Sequence, residues 1–187
     1  MSPSSPNLDD VRRQYHEVLD ARDANKASKA WSRRVFERGV KVTAQIAPVT
    51  GSLAGKRVLE IGSSHGAELL TLYARGARCV GADRNDYGYA RMLDQFQAGD
   101  GIRFVLCNAI DRWPFADHSF DILWAMEVIE YIEDLDAFFN EIARVLTPDG
   151  VAVLSSGALL KSLHCDPVYG LPLTALLPNA LRCFVSE

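Results

Sequence analysis

The sequence predicts a doubly wound α/β fold. From residue 57 onward short apolar runs of strand length alternate with helix-length segments, and the first of these runs turns through glycines straight into a helix. Strands separated by helices pair in parallel through right-handed crossovers, and a sheet built that way is buried on both faces. No internal repeat competes with this reading.

After a Ser/Pro-rich start, Leu8 to Leu19 and Ala27 to Ile46 read as two helices, the second carrying Trp31, Val35, Phe36, Val40 and Val42 among basic residues. Pro48, Gly51 and Gly55 interrupt the pattern, and Arg57 to Gly62 reads as a buried strand. A helix over Gly66 to Arg75 leads to a strand over Arg78 to Ala82, and a helix over Tyr87 to Gln97 leads to a strand over Ile102 to Leu106. A loop at Asn108 to His118 precedes a strand over Ser119 to Trp124, then a helix over Leu135 to Leu146 and a strand over Gly150 to Ser155. Pro167, Pro172 and Pro178 make both a long helix and a central strand uncomfortable in residues 157–187. The expected organisation is a helical arm over residues 1–50, serving as a substrate cap, and an α/β cofactor-binding domain over residues 51–187.

Composition narrows the function classes. A chain of 187 residues with 48% hydrophobic side chains supports one sizeable core. Its net charge of -4 argues against a general nucleic-acid binder, whose affinity rests on clustered Lys and Arg. The basic stripe Arg33, Arg34, Arg38 and Lys41 reads as a solvated helix face. Cys79, Cys107, Cys165 and Cys183 lack the close spacing of a zinc site and read as reduced thiols, so no metal is expected. The polar start and the lack of a long apolar run predict a cytoplasmic protein with no membrane span.

The candidate site lies at the end of the first strand, in Val58-Leu-Glu-Ile-Gly-Ser-Ser-His-Gly66. Open α/β sheets bind ligands beyond the carboxyl ends of their strands, where a glycine turn lets backbone approach the ligand. A dinucleotide fingerprint starting at Gly62 needs two further glycines where Ser64 and Ala67 stand, which disfavours a nicotinamide cofactor. Glu60 is a poor neighbour for a pyrophosphate but suits a cationic ligand, and S-adenosylmethionine carries a sulfonium and an ammonium. Asp83 ends the next strand, where a carboxylate can accept both ribose hydroxyls; a plain helix N-cap is the alternative use for it.

Five blocks then carry a specific resemblance: Glu60-Ile-Gly62-Ser-Ser-His-Gly66, Asp83, Asn108-Ala109, Pro114-Phe115-Ala-Asp117-His-Ser-Phe120-Asp121 and Arg144-Val-Leu-Thr-Pro148-Asp-Gly150. In order and spacing they resemble the motifs of class I methyltransferases, particularly the methyltransferase type 11 group. The resemblance implies a Rossmann-like sheet with S-adenosylmethionine as cofactor. It places Glu60, Gly62, Ser63, Ser64 and Gly66 around the methionine part, Asp83 and the adjacent Arg84 at the ribose, Asn108 and Ala109 at adenine, and Met126 and Glu127 along the pocket. It also implies a hairpin after the fifth strand, so a sheet lacking its last strands is expected here. The family commonly has glycine where Ser64 stands and histidine where Tyr131 stands, which implies a shifted loop at Ser64 and leaves the catalytic residue unassigned. The acceptor expected is a small molecule; the stretch Asp166 to Pro172 loosely resembles a segment of saccharide-linked methyltransferases, and Tyr15, Trp31, Tyr169 and Leu171 are candidates for its wall.

Two alternatives stand beside this reading. Gly62-Ser-Ser64-His-Gly66 also fits the nucleophile elbow of an α/β-hydrolase, with Ser64 as nucleophile and Asp121 and His164 following in order. Against it, only helical sequence precedes this strand and no oxyanion segment lies upstream. A noncatalytic binding protein on the same fold is the other, since fold does not dictate activity.

Overall fold

The computed structural model describes residues 7–22, 24–87, 96 and 101–156. Its sheet has five strands, β1 (Arg57–Ile61), β2 (Arg78–Asp83), β3 (Ile102–Leu106), β4 (Phe120–Met126) and β5 (Leu146–Ser155), in the order β3-β2-β1-β4-β5. Every pairing is parallel, so all five carboxyl ends lie along one edge. The strand order reverses between β1 and β4, which makes the crevice beyond their ends the natural ligand position.

Side chains alternate across a strand, and here that alternation sorts two cores. Val58, Cys79, Ile122, Trp124 and Val153 face one side, where helix α3 (Ala67–Tyr73) packs. Leu59, Ile61, Val80, Leu123 and Ala125 face the other, under Trp113 and under Phe138, Ile142 and Val145 of helix α4 (Leu135–Val145). The same alternation turns Glu60, two residues after Val58, toward α3.

The N-terminal arm forms a further layer outside α3. Helices α1 (Leu8–Ala21) and α2 (Lys26–Thr50) are capped by Asn7 and Asn25, whose side chains accept from the backbone N–H groups of Asp9 and Ser28. Val11, Tyr15, Leu19 and Phe36 join the core of α3, and Arg12–Glu37 and Arg33–Asp20 ion pairs tie the two helices together. At Gly39 the helices approach so closely that a Cβ would lie 2.8 Å from Thr71 Oγ1, which is why no side chain stands there.

Several expectations change. Helix α2 continues past Ile46 through Pro48 to Thr50. The ring removes only one donor in the last turn, and the Ala44 carbonyl it leaves free belongs to an exposed residue that water can serve. β5 starts at Leu146 rather than Gly150, with an irregular register beside Phe120 and Ile122 that accommodates Pro148. Tyr15 is no part of an acceptor wall: it is 1% exposed and stacks on Phe36 at 5.2 Å. Most of the helix expected over Tyr87 to Gln97, the expectations for residues 157–187, and with them His164, Cys165, Tyr169, Leu171 and Cys183, lie outside the described residues.

Candidate functional site

β1 ends at Ile61, and the chain turns through Gly62 (φ 73°), Ser64 (φ 46°) and Gly66 (φ 69°) into α3. Gly62 is doubly required. Besides its positive φ, a Cβ there would fall 2.4 Å from Val128 Cγ2, so the β1 turn and the segment after β4 meet with no room for a side chain. The backbone N–H groups of Gly62 and Ser63 both donate to the Ala82 carbonyl, fixing the turn against the end of β2.

Ser64 holds the left-handed conformation in place of a glycine. Its backbone N–H donates to Asp83 Oδ2 at 2.9 Å, and its Oγ lies 3.0 Å from His65 Nδ1. These bonds offset the strain that an L-residue carries at positive φ. Asp83, the last residue of β2, also accepts from the Asn85 N–H through Oδ1 at 3.2 Å. Its carboxylate therefore links the β1 turn to the β2 turn while keeping lone pairs for a ligand.

Beneath the turn lies a group of carboxylates with one arginine among them. Glu60 is 3% exposed, and its Oε2, like Ser63 Oγ, is buried without a hydrogen-bond partner. The Leu69 N–H, a free donor of the first turn of α3, supplies a backbone bond to Glu60. Burial above all, then Glu68 and Asp83, pushes the Glu60 carboxyl well above its ordinary range against the opposing pull of Arg38. Glu68 is raised as well, chiefly by burial, with Arg38 opposing. Arg38 grips Glu68 through Nε (2.9 Å) and Nη2 (3.2 Å) and reaches Glu127 Oε2 through Nη1 (2.7 Å). Glu127 follows β4 at φ 55° and donates its N–H to the Ser155 carbonyl at 2.9 Å.

The structure thus brings Glu60, Gly62, Ser63, Ser64, Gly66 and Asp83 together at adjoining strand ends. Arg84 follows Asp83 and is exposed. Asn108 and Ala109 follow β3 on the same edge; Asn108 Oδ1 accepts from the Ile110 N–H at 3.4 Å, and the Ala109 carbonyl accepts from Trp113 Nε1 at 3.2 Å. Met126 closes β4, and Glu127 is tied to the arm through Arg38.

Sequence reasoning missed two members. Arg38 was read as part of a solvated stripe, yet it is half-buried because α2 packs closely on α3 at the neighbouring Gly39. Glu68 was not singled out, although one acidic residue in the otherwise apolar run Ala67-Glu-Leu-Leu was its signal. His118, by contrast, is a turn residue at φ 54° whose Nδ1 bonds the Leu146 carbonyl. The hydrolase alternative fails on geometry: Asp121 pairs with Arg57 (2.8 Å) at the amino end of β1 and β4, the opposite edge of the sheet from Ser64.

A parallel sheet with a glycine turn at its switch point defines a doubly wound α/β protein, and comparison with known proteins narrows it. The family model described as a methyltransferase domain matches residues 59–154, and the chain belongs to that family. It is 35% identical over 118 residues to methyltransferase GfsG of Streptomyces halstedii, covering 61% of this chain and 42% of the relative. It is 32% identical over 123 residues to a ubiquinone biosynthesis O-methyltransferase of Bradyrhizobium, covering 66% and 46%. The crystal structure of YcgJ from Bacillus matches with a TM-score of 0.56 and 27% identity, over 64% of this chain and 50% of that one. The matched part spans less than half the length of the two relatives.

Membership in the family makes S-adenosylmethionine the cofactor, and the site fits it. The orphaned Glu60 and Ser63 oxygens supply acceptors, and one arginine among Glu60, Glu68, Asp83 and Glu127 leaves an excess of negative charge suited to a cationic group. Among the described residues no helix is long and apolar enough to cross a membrane, and no group of side chains is placed to hold a metal ion.

Proposed function

We propose that the chain is an S-adenosylmethionine-dependent methyltransferase acting on a small-molecule acceptor. The observation that carries this is the buried Glu60 with an unpartnered Oε2 beneath a glycine turn that hydrogen-bonds Asp83, all at the sheet's switch point. In this reading Glu60 and Ser63 receive the methionine ammonium, Gly62 and Gly66 let backbone approach, Asp83 takes the ribose hydroxyls beside Arg84, and Asn108 and Ala109 border adenine. Met126 and Glu127 form the wall on the β4 side.

Bound S-adenosylmethionine supplies a methyl group already activated by positive sulfur. The chain's own residues have to align the acceptor and exclude water, so a strong base is not required. The arm serves as one wall of this site because Arg38 fastens α2 to Glu68 and Glu127. The name of one relative, a ubiquinone biosynthesis O-methyltransferase, supports transfer to a small molecule, and a saccharide-linked acceptor falls within the same reading.

Calorimetric titration with S-adenosylmethionine tests it, using the wild type, Asp83→Ala and Asp83→Asn, followed by labelled methyl transfer to a panel of acceptors. Micromolar-range binding that Asp83→Ala weakens at least about 10-fold is expected, since hydrogen bonds to a charged group contribute about 1.5–3 kcal/mol. Absence of binding by a folded wild type refutes the reading. Binding with no transfer to any acceptor favours the noncatalytic alternative.

A further inference from the structure

The motif Gly62-Ser-Ser64-His-Gly66 contains one residue that cofactor binding does not use, His65. Its half-buried imidazole stands between two rings from different parts of the chain: Trp31 of α2, edge-on with centroids 6.5 Å apart, and Tyr87 beyond β2, tilted at 5.2 Å. Both outer rings keep open surface, Trp31 being 43% and Tyr87 42% exposed. Trp113 and Trp124 are by contrast 1% and 0% exposed. Neighbours orient two of the three rings, Ser64 Oγ engaging His65 Nδ1 (3.0 Å) and Asn85 Nδ2 donating to Tyr87 Oη (3.2 Å). His65 Nε2, on the other side of its ring, has no hydrogen-bond partner among the described residues.

We infer that Trp31, His65 and Tyr87 form the acceptor subsite, and that it takes a planar ring bearing a hydroxyl group. Trp31 and Tyr87 offer π faces on which a flat ring stacks with offset or edge-on geometry. His65 Nε2 meets the hydroxyl, which both donates and accepts and so suits either tautomer that Ser64 selects. Burial first, then Arg22, lowers the His65 pKa, with Asp83 opposing, which favours the neutral imidazole for this hydrogen bond. The position is right for an acceptor, since His65 belongs to the turn proposed to hold the methionine part and Tyr87 stands four residues past Asp83.

This inference rests on the methyltransferase reading, and one experiment separates the two. The full chain is saturated with S-adenosylhomocysteine and titrated with 4-propylphenol, with 4-propylcyclohexanol as the non-planar control. Because Trp31 is the exposed tryptophan, its fluorescence reports ring binding and Trp31→Phe removes the signal. Saturable quenching by the phenol and about 3- to 10-fold weaker binding of the cyclohexanol are expected. By calorimetry, Trp31→Ala and Tyr87→Ala each weaken phenol binding about 3- to 10-fold while S-adenosylhomocysteine affinity stays within about 2-fold. Equal losses for phenol and S-adenosylhomocysteine would make the rings a wall of the cofactor and overturn the inference. Wild type that binds S-adenosylhomocysteine but not the phenol also overturns it, and leaves the methyltransferase reading standing. Failure to bind S-adenosylhomocysteine counts against that reading on its own readout.

Discussion

Replacing Glu60 by Gln tests the electrostatics of the site most directly. Glu60 is faced by Tyr15 of α1, Arg38 of α2, Glu68 of α3 and Cys79 and Asp83 of β2. Only Arg38 among them carries positive charge, and it is already committed to Glu68 and Glu127. Desolvation therefore raises the Glu60 pKa, and the folded protein without cofactor holds a proton there that the unfolded chain releases at lower pH. The sign of the linkage follows: the stability Glu60 contributes is complete below the unfolded carboxyl pKa and is lost as pH rises through the higher folded value. An ammonium at Oε2 favours the charged form, so cofactor binding expels up to about one proton and log Kd falls by up to about one per pH unit below the folded pKa. Glu60→Gln keeps the shape and removes the charge. It should weaken S-adenosylmethionine binding by about 10- to 150-fold, the equivalent of a charge-assisted hydrogen bond of about 1.5–3 kcal/mol. Calorimetry in buffers of different ionisation enthalpy counts the proton. Unchanged affinity in Glu60→Gln together with a buffer-independent enthalpy in the wild type would refute the reasoning.

Three further substitutions probe the frame of the site. Arg38→Met leaves Glu68, 4% exposed, buried without its counter-charge, and should cost about 3–5 kcal/mol in urea unfolding; a loss below about 1 kcal/mol would show that α2 is held by apolar packing alone. Ser64→Gly relieves an L-residue at φ 46° but gives up the contact with His65, so a net gain of about 0–1 kcal/mol and a melting temperature equal or higher are expected, with cofactor affinity retained. Gly62→Ala combines positive φ with a Cβ placed 2.4 Å from Val128 Cγ2 and should destabilise by about 2–4 kcal/mol, read from the shift in denaturation midpoint; Val128→Ala in the same chain should recover part of the loss.

The strand alternation was legible because each buried strand is a short apolar run between turn residues, and β1 through β4 fall within two residues of where that pattern puts them. Element ends were less so. Pro48 marked a stop for α2, but a proline in the last turn removes a single bond, and the helix runs two residues beyond it. At β5 the strand starts earlier than Gly150 because an irregular register absorbs the proline that a regular ladder would refuse. The glycine turn and Asp83 were legible for a local reason: their geometry is set by short-range φ preference and by sequence position at a strand end. Arg38 and Glu68 were not, because their pairing is made by two helices meeting across thirty residues, and a basic helix face in sequence looks alike whether water or a second helix covers it.

That pairing bears on what the arm does. A cap that merely lies over a site is fastened by surface contacts, and exposed ion pairs contribute about 0–1 kcal/mol each. Here Tyr15 and Phe36 stack inside the same core that holds Val58 and Trp124, and Arg38 joins three elements through buried or half-buried carboxylates. Loosening α2 would expose this core, strand the charge of Glu68 and release Glu127 from its fixed position after β4. The arm is therefore tied energetically to the proposed cofactor pocket. Ordering of either stabilises the other, and a ligand that binds only the assembled site should protect the backbone amides of α2 around Arg38 from hydrogen exchange.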